Sequence, residues 1–459
     1  MNERQPATAA ATRASEDELG REATQLLQAL IRFKTVNPPG DERRVQEFLA
    51  ALLREAGFSC ELLGASEERP NLIARLAPED SNGAAAEGPT LCLLSHVDTV
   101  LADPAAWSHD PWSGDQADGY VWGRGALDMK DQTAAEVVAA CALARSGWRP
   151  PRGELLIVSL VDEETGGSQG AVWICENHAE KVRCDYLINE GGGWRLVLDG
   201  DGGGAHAVYG LGCAEKGVFR FTITTEGVAA HASMPRLGEN ALLKMVPFLA
   251  RMGERQPSLV LTDEPRALLA GIGEDPEADL QLSVERVRAR EPALAVMLEA
   301  MLGVTLAPTR IFASDKINVI PSATRVAVDC RVPPGLGERD VLEGVREVLG
   351  SDGYRLEFTE QVPGNRSPFD GELVDHIRGW VSENDPGAAC VPSVLPGFTD
   401  SRTFRATFPE CRAYGFFPHR HMPLSLHGPL VHGADERIDV REMGFATRFF
   451  GDMIQRMLG

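Results

Sequence analysis

The chain has 459 residues, 43% hydrophobic and 24% charged, with a formal net charge of −22. A single core stops growing at about 250–300 residues, so this length predicts more than one domain. So acidic a chain opposes nucleic acid and anionic membranes over most of its surface, but still admits an anionic small molecule where a local cation dominates a cleft.

Met1 to Glu18 is polar and Ala/Thr-rich with no apolar core segment, so no signal peptide is expected there, and residues 1–15 are expected to be disordered. Ser15 followed by Glu18 makes a capping box for a helix running to about Phe33. Asp41 is placed to cap a second helix, with Val45, Phe48, Leu49 and Leu52 at helical spacing and Gly57 as its stop. Short strands are expected near 59–63 and 71–76. The run Thr90-Leu91-Cys92-Leu93-Leu94 suits a strand buried on both faces of a parallel sheet, and it delivers His96 and Asp98 at its end. A helix over 130–146 leads to a second buried strand, 154–161, which delivers Asp162, Glu163 and Glu164. A helix near 170–180 leads to a third, 184–189, which ends at Glu190. Strands alternating with helices predict an α/β domain, a mostly parallel sheet sandwiched by helices.

The pattern then changes. Residues 217–226 alternate apolar and polar, and 240–252 read as a helix. The stretch 255–309 predicts one helix near 291–302 among irregular connections. Residues 316–320 and 324–331 read as a hairpin, 338–349 as a helix and 354–358 as a strand. This βαββαβ order predicts a small ferredoxin-like α+β domain inserted at 213–362. Residues 1–212 and 363–459 then form one discontinuous domain, completed by a helix over 369–383, strands near 389–394 and 411–416, and a helix over 440–457. No run approaches 18 apolar residues, so no membrane span is expected. Nine cysteines without C-x-x-C spacing, with Cys92 and Cys330 in apolar settings, read as buried thiols of a reducing, cytoplasmic compartment.

Ligands of open α/β sheets gather at the carboxyl ends of strands. His96, Asp98, Asp128, Asp162, Glu163, Glu164 and Glu190 fall there, and His432 lies in Val431-His432-Gly433-Ala434-Asp435-Glu436. Singly each has an ordinary reading: Asp98 a helix cap, Glu163 and Glu164 a solvated loop, His432 a surface residue. Together, imidazoles and carboxylates in one cleft need cations to neutralise them. A nitrogen and oxygen donor set without thiolate suits Zn²⁺, and less selectively Mn²⁺ or Co²⁺.

The motifs are Ser95-His96-Val97-Asp98-Thr99-Val100, Gly123-Arg124-Gly125-Ala126-Leu127-Asp128-Met129-Lys130, Asp162-Glu163-Glu164, Asn189-Glu190-Gly191, His231-Ala232-Ser233 with Gly238-Glu239-Asn240-Ala241, Asn318-Val319-Ile320-Pro321 and His432-Gly433-Ala434-Asp435-Glu436. Val36-Asn37-Pro38-Pro39-Gly40-Asp41-Glu42 adds an N-terminal segment. Across about residues 20–455, the chain resembles the co-catalytic di-zinc hydrolases that include acetylornithine deacetylase, succinyl-diaminopimelate desuccinylase, aminoacylase and glutamate carboxypeptidase.

The resemblance implies a zinc-exopeptidase-like catalytic domain with the insert serving as lid and dimerisation domain, in a homodimer. It implies two Zn²⁺ per subunit, with Asp128 bridging, Glu164 and His432 completing one site, and His96 and Glu190 the other. Asp98 would stand behind His96, and Glu163 would be the general base. The residues alone do not decide which of Glu163 and Glu164 ligates. A metal-bridging hydroxide would cleave the amide of an N-acyl amino acid or a dipeptide with a free carboxylate. His231 would stabilise the oxyanion, although on its own it reads as a surface-turn histidine. Asn318 and Arg331 match substrate-carboxylate positions, with a structural ion pair to Asp329 as the other reading of Arg331. Thr399, Asp400 and Arg402 lie on a substrate-side loop. His419, His421 and His427 lack the residues that follow His432 and are not taken as ligands. The length of 255–309 and the acidic Gly-rich 199–205 segment depart from the compact members. A non-catalytic metal- or peptide-binding relative would need a missing ligand or base, and none is missing. Gly123-Arg124-Gly125 and Gly191-Gly192-Gly193 form neither a dinucleotide fingerprint nor a P-loop.

Overall fold

The computed structural model describes residues 14–78, 87–199 and 205–459. The expectations for residues 1–13, for the loop 79–86 and for 200–204 lie outside the described residues. The chain divides into two compact units, one of 1–210, 368–390 and 403–459, the other of 211–367 and 391–402. The second unit thus takes in 211–367, where 213–362 is the expected insert, together with the segment 391–402.

Six neighbouring strands of a ten-stranded sheet lie in the first unit in the order Ser59–Leu63, Asn71–Leu76, Glu154–Leu160, Thr90–His96, Tyr186–Asn189 and Arg412–Gly415. The last four are mutually parallel, and the first two add an antiparallel edge. Thr90–His96 sits inside this sheet with every residue after Thr90 buried. That is why its sequence is a continuous apolar run rather than an alternating one. One face packs Leu94, Leu156, Val158 and Leu187 with Ile174, Phe404 and Phe408. Helices Glu16–Arg32, Lys130–Arg145 and Val440–Leu458 pack on one another.

The expected capping box forms, with Ser15 N–H donating to Glu18 Oε2 at 2.9 Å. The second helix departs from expectation. It runs Arg43–Glu55 after Glu42 rather than from an Asp41 cap, and the Glu42 side chain makes no capping bond because Arg69 holds it. The expected 170–180 helix is two short pieces, Ala171–Asn177 and Ala179–Val182, broken at His178.

The second unit has an antiparallel sheet in which Ala323–Val332 pairs with Thr305–Phe312 on one side and Phe221–Glu226 on the other, with Arg355–Phe358 beyond. Helices Ala241–Glu254 and Glu338–Leu349 contribute Met245, Phe248, Val341 and Val345 to its core. The order is βαββαβ, but the expected hairpin is corrected. The partner of Ala323–Val332 is Thr305–Phe312, while Val319–Ile320 pairs with Ala230–His231. Thr305–Phe312 carries Pro308 beside a register shift and exposes six of its eight residues. A proline and little burial are tolerated at a sheet edge and erase the alternation that marks a strand.

The stretch 255–309 forms three helices, Asp263–Gly271, Leu280–Arg290 and Pro292–Leu302. Buried Lys216 ties the last of them down, donating to Ala300 O at 2.7 Å and Gly303 O at 2.5 Å. A cation suits a helix carboxyl end.

Candidate metal centre

The Thr90–His96 strand ends at His96, which is 2% exposed, and the chain turns directly into Asp98, which is fully buried. His96 Nε2 lies 3.2 Å from Asp128 Oδ1 and 3.8 Å from Glu190 Oε1. His432 Nε2 lies 3.0 Å from Asp128 Oδ2 and 3.2 Å from Glu164 Oε2. Two groups of potential ligands result: His96, Asp128 and Glu190, and Asp128, Glu164 and His432. Within each group the donor atoms lie within 4.8 Å of one another, and Asp128 belongs to both. Glu163 belongs to neither, yet its Oε2 is 4.0 Å from His96 Nε2.

The electrostatics suit cations. Burial alone would lower the His96 pKa, but Asp128 and Asp98 outweigh it and hold the imidazole well above its usual value. Hydrogen bonds with Asp128 and Glu164 push His432 up to about 10. Asp128 is lowered despite burial, because His432 and His96 stabilise its charge. Both imidazoles thus face carboxylates whose negative charge favours a cation between them, the role divalent ions would take.

Three residues around the ligands were quoted only as motif members. Glu436, fully buried, accepts from Leu127 N at 2.7 Å and Asp128 N at 3.3 Å and pairs with Arg124. Arg124 also donates to His432 O and Gly433 O. This pair joins the Asp128 loop to the His432 loop, which lie about three hundred positions apart in the sequence. The third is Asn37, whose amide donates to Asp98 Oδ2 at 2.8 Å. Asp98 meets His96 Nδ1 through its carbonyl oxygen at 3.1 Å and its carboxylate at 3.5 Å. His419 and His427 stack on each other, ring centroids 4.4 Å apart, and belong to neither ligand group.

In the second unit, His231 Nδ1 accepts from Ser233 N–H at 3.2 Å and meets Ser233 Oγ at 2.7 Å. That assigns the ring hydrogen of neutral His231 to Nε2. Asn318 is exposed, and its carbonyl accepts from Ala232 N in the same small sheet. Arg331 donates to Asp329 at 2.7 Å and lies over the Phe398 ring, where Arg402 also stacks at 3.9 Å. Thr399, buried, donates to Glu215 Oε1 at 2.7 Å. Asp400 is buried beside it in sequence.

Residues 92–456 match the model of peptidase family M20/M25/M40. The chain belongs to this family. It is therefore a hydrolase of the amide bonds of peptides or N-acyl amino acids, in a metal-dependent class. An N-fatty-acyl-amino acid synthase/hydrolase, PM20D1, of Xenopus tropicalis is 27% identical over 377 residues, 79% of this chain and 71% of that protein. A succinyl-diaminopimelate desuccinylase of Cereibacter sphaeroides is 26% identical over 426 residues, 90% of this chain and 93% of that one. Among solved structures, an M20 metallo-carboxypeptidase, Sso-CP2, of Sulfolobus solfataricus superposes with a TM-score of 0.68 at 16% identity. That match covers 95% of this chain and 99% of the other, and it establishes the M20 fold as mixed α/β with a mostly parallel central sheet. No helix among the described residues is long and apolar enough to cross a membrane.

Proposed function

We propose that this M20 hydrolase cleaves an N-acyl amino acid or a dipeptide with a free carboxylate, using two divalent cations, zinc first. The observation that carries this reading is the pair of three-ligand groups sharing Asp128, with Glu163 beside them and outside both. The donor set fits two ions, since three carboxylates and two imidazoles without thiolate match zinc and, less selectively, manganese or cobalt. His96, Asp128 and Glu190 would hold one ion and Asp128, Glu164 and His432 the other. When bound, such ions polarise the amide carbonyl and bring the pKa of water toward neutrality.

The chain's own residues do the rest. Asp98 orients His96 and the Glu163–Glu164 turn from behind. Glu163 takes a proton from the attacking water at its carboxylate and delivers it to the amide nitrogen, so the C–N bond breaks to a carboxylic acid and an amine. His231 is the oxyanion donor in this reading, because its Nε2 carries the hydrogen. For the substrate carboxylate, Arg402 is favoured among Asn318, Arg331, Thr399 and Arg402. Arg331 is engaged by Asp329 and the Thr399 hydroxyl by Glu215, whereas the Arg402 guanidinium stacks on Phe398.

The test is a substrate panel on zinc-loaded protein: N-acetyl, N-succinyl and long-chain N-acyl amino acids, with dipeptides. Release of free amine from at least one class is expected. Tight binding without turnover across the panel would instead support a non-catalytic relative.

We also infer a homodimer and a cytoplasmic location. The second unit exposes Leu243 and Val246 on one helix and Ile311 and Phe312 on the strand Thr305–Phe312, which pairs on one side only among the described residues. All nine cysteines are free thiols, including Cys184 and Cys411 with sulfurs 3.7 Å apart. Sedimentation velocity should give twice the chain mass, and thiol titration of the protein unfolded without reductant should count nine. A single-chain mass or a missing pair of thiols would count against them.

A further inference from the structure

Behind the ligand groups lies a second cluster, made of Asn37, Glu42, Arg69, Asp98 and Asp162, all of them buried. Its parts come from four separate stretches of chain. Arg69 grips Glu42 with Nε at 2.8 Å and a terminal nitrogen at 2.6 Å, and reaches Asp162 Oδ1 at 3.1 Å. Asp162 in turn organises the turn that follows it, accepting from Thr165 Oγ1, Ser168 Oγ and Gln169 N. Asp162 itself has φ +70, a conformation that L side chains adopt only when the surroundings hold it. Asp98 takes the turn from the other side, accepting Glu163 N at its Oδ1 and Glu164 N at its Oδ2, both at 3.2 Å.

One side chain bridges the two carboxylates. Asn37 Nδ2 lies 2.8 Å from Asp98 Oδ2 and 3.1 Å from Asp162 Oδ1, with Thr165 Oγ1 also at 3.1 Å. An amide nitrogen has two hydrogens, enough to donate to both acids at once. Asp98 and Asp162, both buried, would otherwise repel one another. Glu163 is the residue between these clamps. Glu164 has an additional anchor, since Val100 N donates to its Oε1 at 3.2 Å.

We infer that Asn37 is a positioning residue for Glu163: by pinning Asp98 to Asp162 it sets the peptide from which the Glu163 carboxylate is aimed at the reacting water and nitrogen. This rests on Glu163 being the base. Asn37 touches no ligand atom of either group. Its loss should therefore slow the proton transfer while leaving substrate binding and metal content in place. A residue that only holds the fold together would lower the yield of active protein without separating these quantities.

The test is a double-mutant cycle of Asn37→Ala and Glu163→Gln, on zinc-loaded protein with the fastest-cleaved member of the panel above. Asn37→Ala alone should lower kcat by about 10–100-fold, less than the roughly 10²–10⁴-fold a general base supplies, with KM and metal per chain unchanged. Added to Glu163→Gln, it should lower kcat no further. Thr165→Val, which removes one leg of the same bridge, should act in the same direction and more weakly, and it serves for the cycle if Asn37→Ala does not fold. Three results overturn the inference: an unchanged kcat, a loss of metal that accounts for the loss of rate, or an equal fold-loss in both backgrounds. If Glu163→Gln itself keeps parental kcat, it is the assignment of the base that fails.

Discussion

Glu163→Gln is expected to reduce turnover by about 10³-fold, roughly 4 kcal/mol of transition-state stabilisation, with metal content and Tm close to the parent. Glutamine keeps the shape of the side chain and removes its ability to carry a proton. Glu163 stands outside both ligand groups, so its replacement should not release metal. The turn beneath it is built from the backbone N–H groups of Glu163 and Glu164 on Asp98, contacts the substitution leaves intact. Steady-state kinetics together with metal analysis of the same sample checks this. Parental turnover in the variant would remove Glu163 from the mechanism, and loss of metal would make it a ligand.

Asp128→Ala should have the larger effect, with activity lost and both metals released. Asp128 is the one side chain common to the two groups, with one carboxylate oxygen toward His96 and the other toward His432. Glu190→Ala removes a ligand from one group only, so it should cost one metal per chain and not two. The loop need not collapse with the side chain, because the Asp128 N–H is held by Glu436. Elemental analysis of the three proteins, with circular dichroism to confirm folding, separates the cases. An Asp128→Ala protein that keeps two metals would show that the groups do not share a ligand.

The parallel strands and the residues at their ends were legible because burial on both faces leaves an unmistakable apolar run, and the polar residue that closes such a run stands at the carboxyl end of the sheet. His96, Asp162 and Glu190 all follow such runs. The supporting ion pairs were not legible. Glu42, Arg124 and Glu436 stand in the motifs, but nothing in a linear sequence joins Arg69 to Glu42 or Arg124 to Glu436, buried partners 27 and 312 positions apart. Asn37 stood in a quoted motif, but the two carboxylates it joins come together only in the fold. The strand Thr305–Phe312 was missed because a sheet edge with Pro308 lacks alternation. The pairing of Arg331 with Asp329, two positions apart on one strand, was visible as an alternative from the start.

The central claim is that five side chains remote in sequence hold two divalent ions beside Glu163. Anomalous scattering at the zinc edge, from crystals of the zinc-loaded protein, tests it most directly. Two peaks flanking the Asp128 carboxylate are predicted, one joined to His96 and Glu190 and the other to Glu164 and His432. Density at neither position, with zinc bound elsewhere or not at all, would contradict the account.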